Sequence, residues 1–187
     1  MGTTSESVLL YITDERLHSE LLGLIDELNQ PNREYTAPYG LSDIIQRSPA
    51  PLQTQIGSTL EQIITLHHAW AMDEGISPKT NENASLFLVA DEESLAAARP
   101  RIVKIVHLSL SYPNQYEILR SPINQAIGAY TTIDGGQHGW EEFMQSAQKN
   151  DGMLPSLTRS EENAPPAPAD QTAKPINRTV LSVKLRT

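Results

Sequence analysis

The chain has 187 residues, of which 39% are hydrophobic and 13 are prolines, and it contains no cysteine. That length suits one compact domain with a sizeable core plus an appendage. The missing cysteine excludes disulfides, thiolate metal sites and a cysteine nucleophile. The net charge of −9 is unevenly spread: residues 174–187 carry Lys174, Arg178, Lys184 and Arg186 and no acid, so all 23 acidic side chains lie before them. An acidic body repels nucleic acid and anionic membranes, so any nucleic-acid contact is expected through the basic end alone.

The first residues, Met-Gly-Thr-Thr-Ser-Glu-Ser, lack the basic region and long apolar run of a signal peptide. Glu6 stands where a myristoylation signal wants Ser or Thr. No apolar run approaches the ~18 residues that a membrane span needs. The expected location is the cytoplasm or a virion.

Val8 to Ile12 is a short apolar run that reads as a buried strand. Thr13 then caps a helix expected over 14–29, with Asp14 and Glu15 at the positive end of its dipole. Its inner stripe is Leu17, Leu21, Leu24, Ile25 and Leu28, and Asn29-Gln30-Pro31-Asn32 ends it. Residues 30–40 read as a loop and 41–47 as a short helix. The strongest helix signal covers residues 58–75. Ser58 and Glu61 suit a capping box, Gly75 suits the left-handed stop, and Leu60, Ile63, Ile64, His67, Trp70 and Ala71 share one face. This segment is the expected central helix.

Residues 77–83 read as a polar loop, and Leu86 to Val89 as a second short strand. Asp91-Glu92-Glu93 opens a helix that Pro100 closes. Residues 102–112 read as the longest strand, with Val106, Leu108, Leu110 and Tyr112 alternating with polar residues. Ser121-Pro122 makes a cap and first position for a helix ended by Gly128. A strand is expected at 130–133, a turn at 134–136, and a helix carrying Trp140, Phe143, Met144 and Ala147 that ends near Asp151-Gly152. Residues 159–175 hold Pro165, Pro166, Pro168 and Pro175 and read as an extended linker. Thr179, Leu181, Val183 and Leu185 alternate in a final strand. The expected organisation is therefore an acidic domain over 1–158, a linker over 159–175 and a basic arm over 176–187.

Few residue clusters suggest chemistry. His67 and His68 precede Asp73 and Glu74, yet the two histidines point about 100° apart on a helix and no HExxH spacing is present. A hydrogen-bonded core histidine is the expectation for His67, with a ligand or base as the alternative. Asp134-Gly135-Gly136-Gln137-His138-Gly139 reads first as a turn and second as the lining of a site built on Asp134 and His138. Asp14, Glu15 and Asp91 to Glu93, at the carboxyl ends of two strands, offer the oxygens that hard cations take, but helix capping is the first expectation for them. No nucleophile elbow, phosphate loop or dinucleotide fingerprint is present.

The run Leu9-Leu10-Tyr11-Ile12-Thr13-Asp14-Glu15, leading into a leucine-rich helix, resembles the opening of a response-regulator receiver domain. Over these ~20 residues the resemblance implies acids that hold Mg²⁺ beside a phospho-acceptor Asp ending the third strand. Neither that acceptor nor the later strand-end lysine is found in place, and Lys104 falls inside a strand. The resemblance thus implies a degenerate relative, with a doubly wound sheet and Asp14 close to Asp91.

The expected fold is α+β and helix-rich, with about five helices around 58–75 and a small sheet of short strands; a mostly helical fold is the alternative. The function expected is a non-catalytic structural or assembly protein, such as a viral or phage coat or accessory subunit. It is expected to form a homo-oligomer or larger assembly without cofactor or metal, through an arm carrying Lys174, Arg178, Leu181, Val183, Lys184, Leu185 and Arg186. The alternatives are a degenerate receiver-like regulatory domain and a small metal-dependent hydrolase using Asp134, His138 or His67.

Overall fold

Val8–Ile12 (β1) is apolar throughout, and each of its residues is at most 1% exposed. A strand hidden on both faces needs strands on both sides and a layer above and below. The computed structural model, which describes residues 8–36, 43–76, 85–98, 100–108, 115–134 and 139–155, supplies both. In chain order, β1 and a 3-10 turn at Glu15–His18 lead into α1 (Leu21–Thr36), β2 (Ile45–Arg47), α2 (Leu52–Gln55) and α3 (Leu60–Asp73). Next come β3 (Leu86–Ala90), a second 3-10 turn at Glu92–Ser94, β4 (Ile102–Leu108), β5 (Tyr116–Pro122), α4 (Ile123–Asp134) and α5 (Trp140–Gln148).

The five strands form one sheet in the order β2-β1-β3-β4-β5. β1 is parallel to both its neighbours, with Val8 opposite Ile45 and Ile12 opposite Ala90. β4 runs antiparallel to β3 and to β5. The fold is therefore a mixture of α and β, as expected, with five helices and one mixed sheet among the described residues. The middle of the molecule is the sheet rather than a helix. α1, α4 and α5 pack on one face, against Leu10, Leu88 and Ile105. α3 packs on the other, against Leu9, Tyr11, Phe87 and Val106. At roughly 1.5–3 kcal/mol for each large apolar side chain fully buried, these two faces carry the main stabilisation.

Two sequence signals are met with small shifts. The cap of α3 is Thr59 rather than Ser58: the Gln62 N–H donates to Thr59 Oγ1 at 3.4 Å and the Thr59 N–H to Gln62 Oε1 at 2.8 Å. Gly75 takes the left-handed conformation at φ +67° as expected. α1 begins later and continues through Pro31, where the sequence reading stopped it. Arg33, on the turn beyond the proline, is tied by its guanidinium to Asp26 and to Asp43 beside β2, which holds the helix there.

Other expectations are overturned. Residues 45–47 are strand, not helix, because pairing to β1 outweighs local propensity in so short a segment. Residues 92–99 contain a 3-10 turn rather than a full helix. Tyr116–Pro122 is a strand that the sequence reading missed, and Ser121-Pro122 ends it instead of capping a helix. α4 passes through Gly128 and takes in residues 130–133, since Ile123, Ala126, Ile127 and Tyr130 form a helical stripe that is buried on the sheet. Of the turn expected at 134–136, Asp134 belongs to α4 instead, and 135–136 lie outside the described residues, as do residues 109–112 of the longest strand and the linker and arm beyond 155. The chain divides at Ser156 into one compact unit and a second, shorter one.

Edge strand β2 is closed by a side chain. Asn29, 1% exposed in α1, accepts the Ile45 N–H at 3.0 Å and donates to the Ile45 carbonyl at 2.9 Å, doing what a sixth strand would do. Asn29→Leu should preserve volume but leave both Ile45 groups without partners. At ~1–3 kcal/mol for each of the two unmet buried groups, we expect urea denaturation to show a loss of about 2–6 kcal/mol with an unchanged m-value.

Candidate functional site

The topology marks one place where a site would be expected. β1 connects to β2 on one side and β3 follows on the other, and in open α/β sheets such a switch point, beyond the carboxyl ends of the two strands, is where ligands bind. Thr13 and Asp14 follow β1 there, and Asp91 follows β3 directly. With β2 recognised as a strand, β3 is the third in sequence. An aspartate therefore does end the third strand, contrary to the sequence reading, which had counted 41–47 as helix.

Asp14 accepts the Arg16 N–H at 2.9 Å, capping the first 3-10 turn, and the Arg16 side chain at 2.9 and 2.6 Å. Those hydrogen bonds hold its carboxyl below the ordinary aspartate range. Asp91 caps the second turn through the Glu93 N–H at 3.0 Å and pairs with the Lys104 ammonium. Glu93 pairs in turn with Arg120, the cross-strand neighbour of Lys104. The capping role foreseen for these acids is met by Asp14 and Asp91, and Asp14, Asp91 and Glu93 are each paired with a cation of the same chain, while Glu15 and Glu92 are exposed. Among the described residues no three potential ligands gather to hold a metal ion. The arrangement fixes the two turns and ties β3 to β4 and β5.

His67 lies in the core as expected, fully buried. Its Nδ1 shares a hydrogen bond of 3.1 Å with the Tyr11 hydroxyl, and its ring stacks on Phe87 at 4.4 Å. Asp134 is the last residue of α4, on the opposite face of the sheet from α3. His67 is on α3, so the two residues belong to helices packed on opposite faces of the sheet. His138 lies outside the described residues, as do Lys174, Arg178, Leu181, Val183, Lys184, Leu185 and Arg186.

A second place was missed by sequence reading: the outer side of β5. Glu117 faces α5, where its carboxylate accepts the Trp140 indole N–H. An open cleft of about 200 Å³ runs there, lined by Glu117, Trp140, Glu141, Met144, Gln145 and Gln148. On the other face, the Tyr116 hydroxyl donates to Glu61 of α3 at 2.8 Å, which raises the tyrosine pKa. The signal was weak because β5 mixes charged and apolar residues on both faces, hiding its alternation.

Tyr11 gives a pH prediction. Burial pushes its hydroxyl above the ordinary value near 10, against a smaller opposing effect of the Ser48 hydrogen bond. A raised folded pKa means stability that is intact below pH ~10 and lost as pH rises through the higher value. In an absorbance titration at alkaline pH, Tyr11 should remain un-ionised until the chain unfolds, and Tyr11→Phe should remove that step. Early ionisation of every tyrosine would contradict the buried pair. No protein-family model matches this chain, and neither a curated protein nor a solved structure matches it either.

Proposed function

We propose that this chain is a non-catalytic structural or assembly protein, of the coat-like or accessory-subunit kind, that self-associates or docks through its basic arm at 176–187. One observation carries the reading. Four of the candidate side chains among the described residues are taken up internally: Asp14 by Arg16, Asp91 by Lys104, Glu93 by Arg120 and His67 by Tyr11. The alternation of Thr179, Leu181, Val183 and Leu185 in the sequence of the arm suits pairing with a sheet edge. Nucleic acid is a partner for the basic arm alone, because the body is acidic. No helix among the described residues is long and apolar enough to cross a membrane.

The test is light scattering coupled to size exclusion, on the full chain and on residues 1–158. An oligomer that falls to monomer on truncation, with unchanged circular dichroism, is the expected result. A full chain that is already monomeric would overturn the reading.

A second reading has its own support. The strand order 2-1-3-4-5 is that of flavodoxin-like doubly wound sheets, and Asp14 and Asp91 stand at neighbouring strand ends. Those features suit a degenerate receiver-like regulatory domain, although β4 is reversed. The two readings part on Mg²⁺. We expect no change in tryptophan fluorescence up to millimolar Mg²⁺; a saturable change abolished by Asp91→Asn would favour the regulatory domain.

A further inference from the structure

The two edges of the sheet are finished differently. Asn29 occupies the outward groups of β2 at Ile45. On β5, the outward groups of Arg120 are taken by the chain itself: its N–H donates to Gly152 at 3.3 Å, and its carbonyl accepts the Leu154 N–H at 2.8 Å. Met153 thereby lies parallel to β5 as a one-residue bridge. In an antiparallel ladder, inward-facing and outward-facing residues alternate. With Arg120 facing out, Ile118 and Tyr116 also turn their N–H and C=O groups away from β4. No backbone hydrogen bond joins those outward groups to any described residue. The carboxyl half of this edge is closed and the amino half is open.

The flanks of the open half are chemically distinct. Ile118 and Tyr116, both half-buried, lie toward α3. On the α5 side are the exposed carboxylate-bearing residues Glu117 and Glu141, with Met144 between the α5 glutamines. A strand added here needs an apolar face for Ile118 and Tyr116 and cations on the other face for the glutamates.

We propose that this open half of β5 receives residues 179–185 from a second copy of the chain. The inference rests on the assembly reading above and names its receiving surface. By alternation Thr179, Leu181, Val183 and Leu185 would supply one apolar face, and Val180, Ser182 and Lys184 would lie on the other, with Arg186 just beyond. With Val183 opposite Ile118, either strand direction brings Lys184 or Ser182 beside Glu117. Pairing of two β5 edges with each other would instead bring Glu117 and Glu141 against their own copies, a like-charge contact that the basic arm avoids.

The native chain has no cysteine, so single cysteines report without background. Full-length protein carrying Ile118→Cys is mixed with full-length protein carrying Val183→Cys and oxidised with copper phenanthroline. A disulfide-linked dimer between the two variants is expected. Replacing Val183→Cys by Lys184→Cys, on the opposite face of the arm, should lower the yield severalfold. Independently, Glu117→Lys with Glu141→Lys should weaken association by roughly fivefold to tenfold, and Lys184→Glu with Arg186→Glu in the partner should restore it.

Absence of the mixed dimer, equal yields from both arm positions, or charge reversal without effect would overturn the proposal. So would a chain bearing both Ile118→Cys and Val183→Cys that closes only on itself. The two levels remain separable. If truncation at 158 dissociates the assembly while the β5 variants stay associated, the receiving surface is wrong and the assembly reading stands. If the intact chain is monomeric, both fall.

Discussion

Five consecutive buried residues in β1 constrain everything else. Because Val8, Leu10 and Ile12 face one way and Leu9 and Tyr11 the other, neither face can be left to water. The chain answers with α1 and later α4 on one side and α3 on the other, joined to β1 through parallel neighbours. Parallel pairing in turn demands long crossovers, and α1 and α3 are those crossovers. The three-layer arrangement is thus a consequence of one apolar run that lacks alternation.

Beyond β3 the demand relaxes. β4 and β5 return by direct connections rather than helical crossovers, and their polar residues pair across the sheet. Lys104 and Arg120 stand opposite each other and would repel, but Asp91 and Glu93 reach them from the turn after β3. The acids after β3 therefore secure the antiparallel half of the sheet to the parallel half. Gln55 performs a related task at the end of β1, accepting the Ile12 N–H at 3.1 Å and donating to the Ala50 carbonyl at 2.6 Å. Buried polar side chains in this protein chiefly complete backbone hydrogen bonding.

Much of this was legible in the residues. β1, β3 and α3 announce themselves because burial, period and caps agree, and His67 was placed correctly by its position in an apolar stripe. What escaped notice was decided by tertiary pairing. β2 is three residues long and owes its state to β1 and Asn29. β5 owes its state to a seven-residue register with β4. Gly128 reads locally as a stop, yet it sits on the exposed side of α4 while its neighbours at 126, 127 and 130 are buried. The candidate site suffered most from these misses. Counting β2 as helix hid the fact that Asp91 ends the third strand, and missing β5 hid Glu117 and the open edge beside it.

The carboxamide of Asn29 has a consequence that reaches past stability. A sheet with two open edges can pair like with like, which closes a two-fold dimer, or extend in both directions without limit. Stoppering one margin with a side chain removes the first edge from that choice. Strand addition at Ile45 is thereby blocked, which leaves the β5 side as the edge for growth. Two such edges paired with each other would end growth at a two-fold dimer, whereas pairing with a different segment of the next copy would give rings when the rotation between copies permits and open chains when it does not. A single buried amide thereby gives the sheet a polarity.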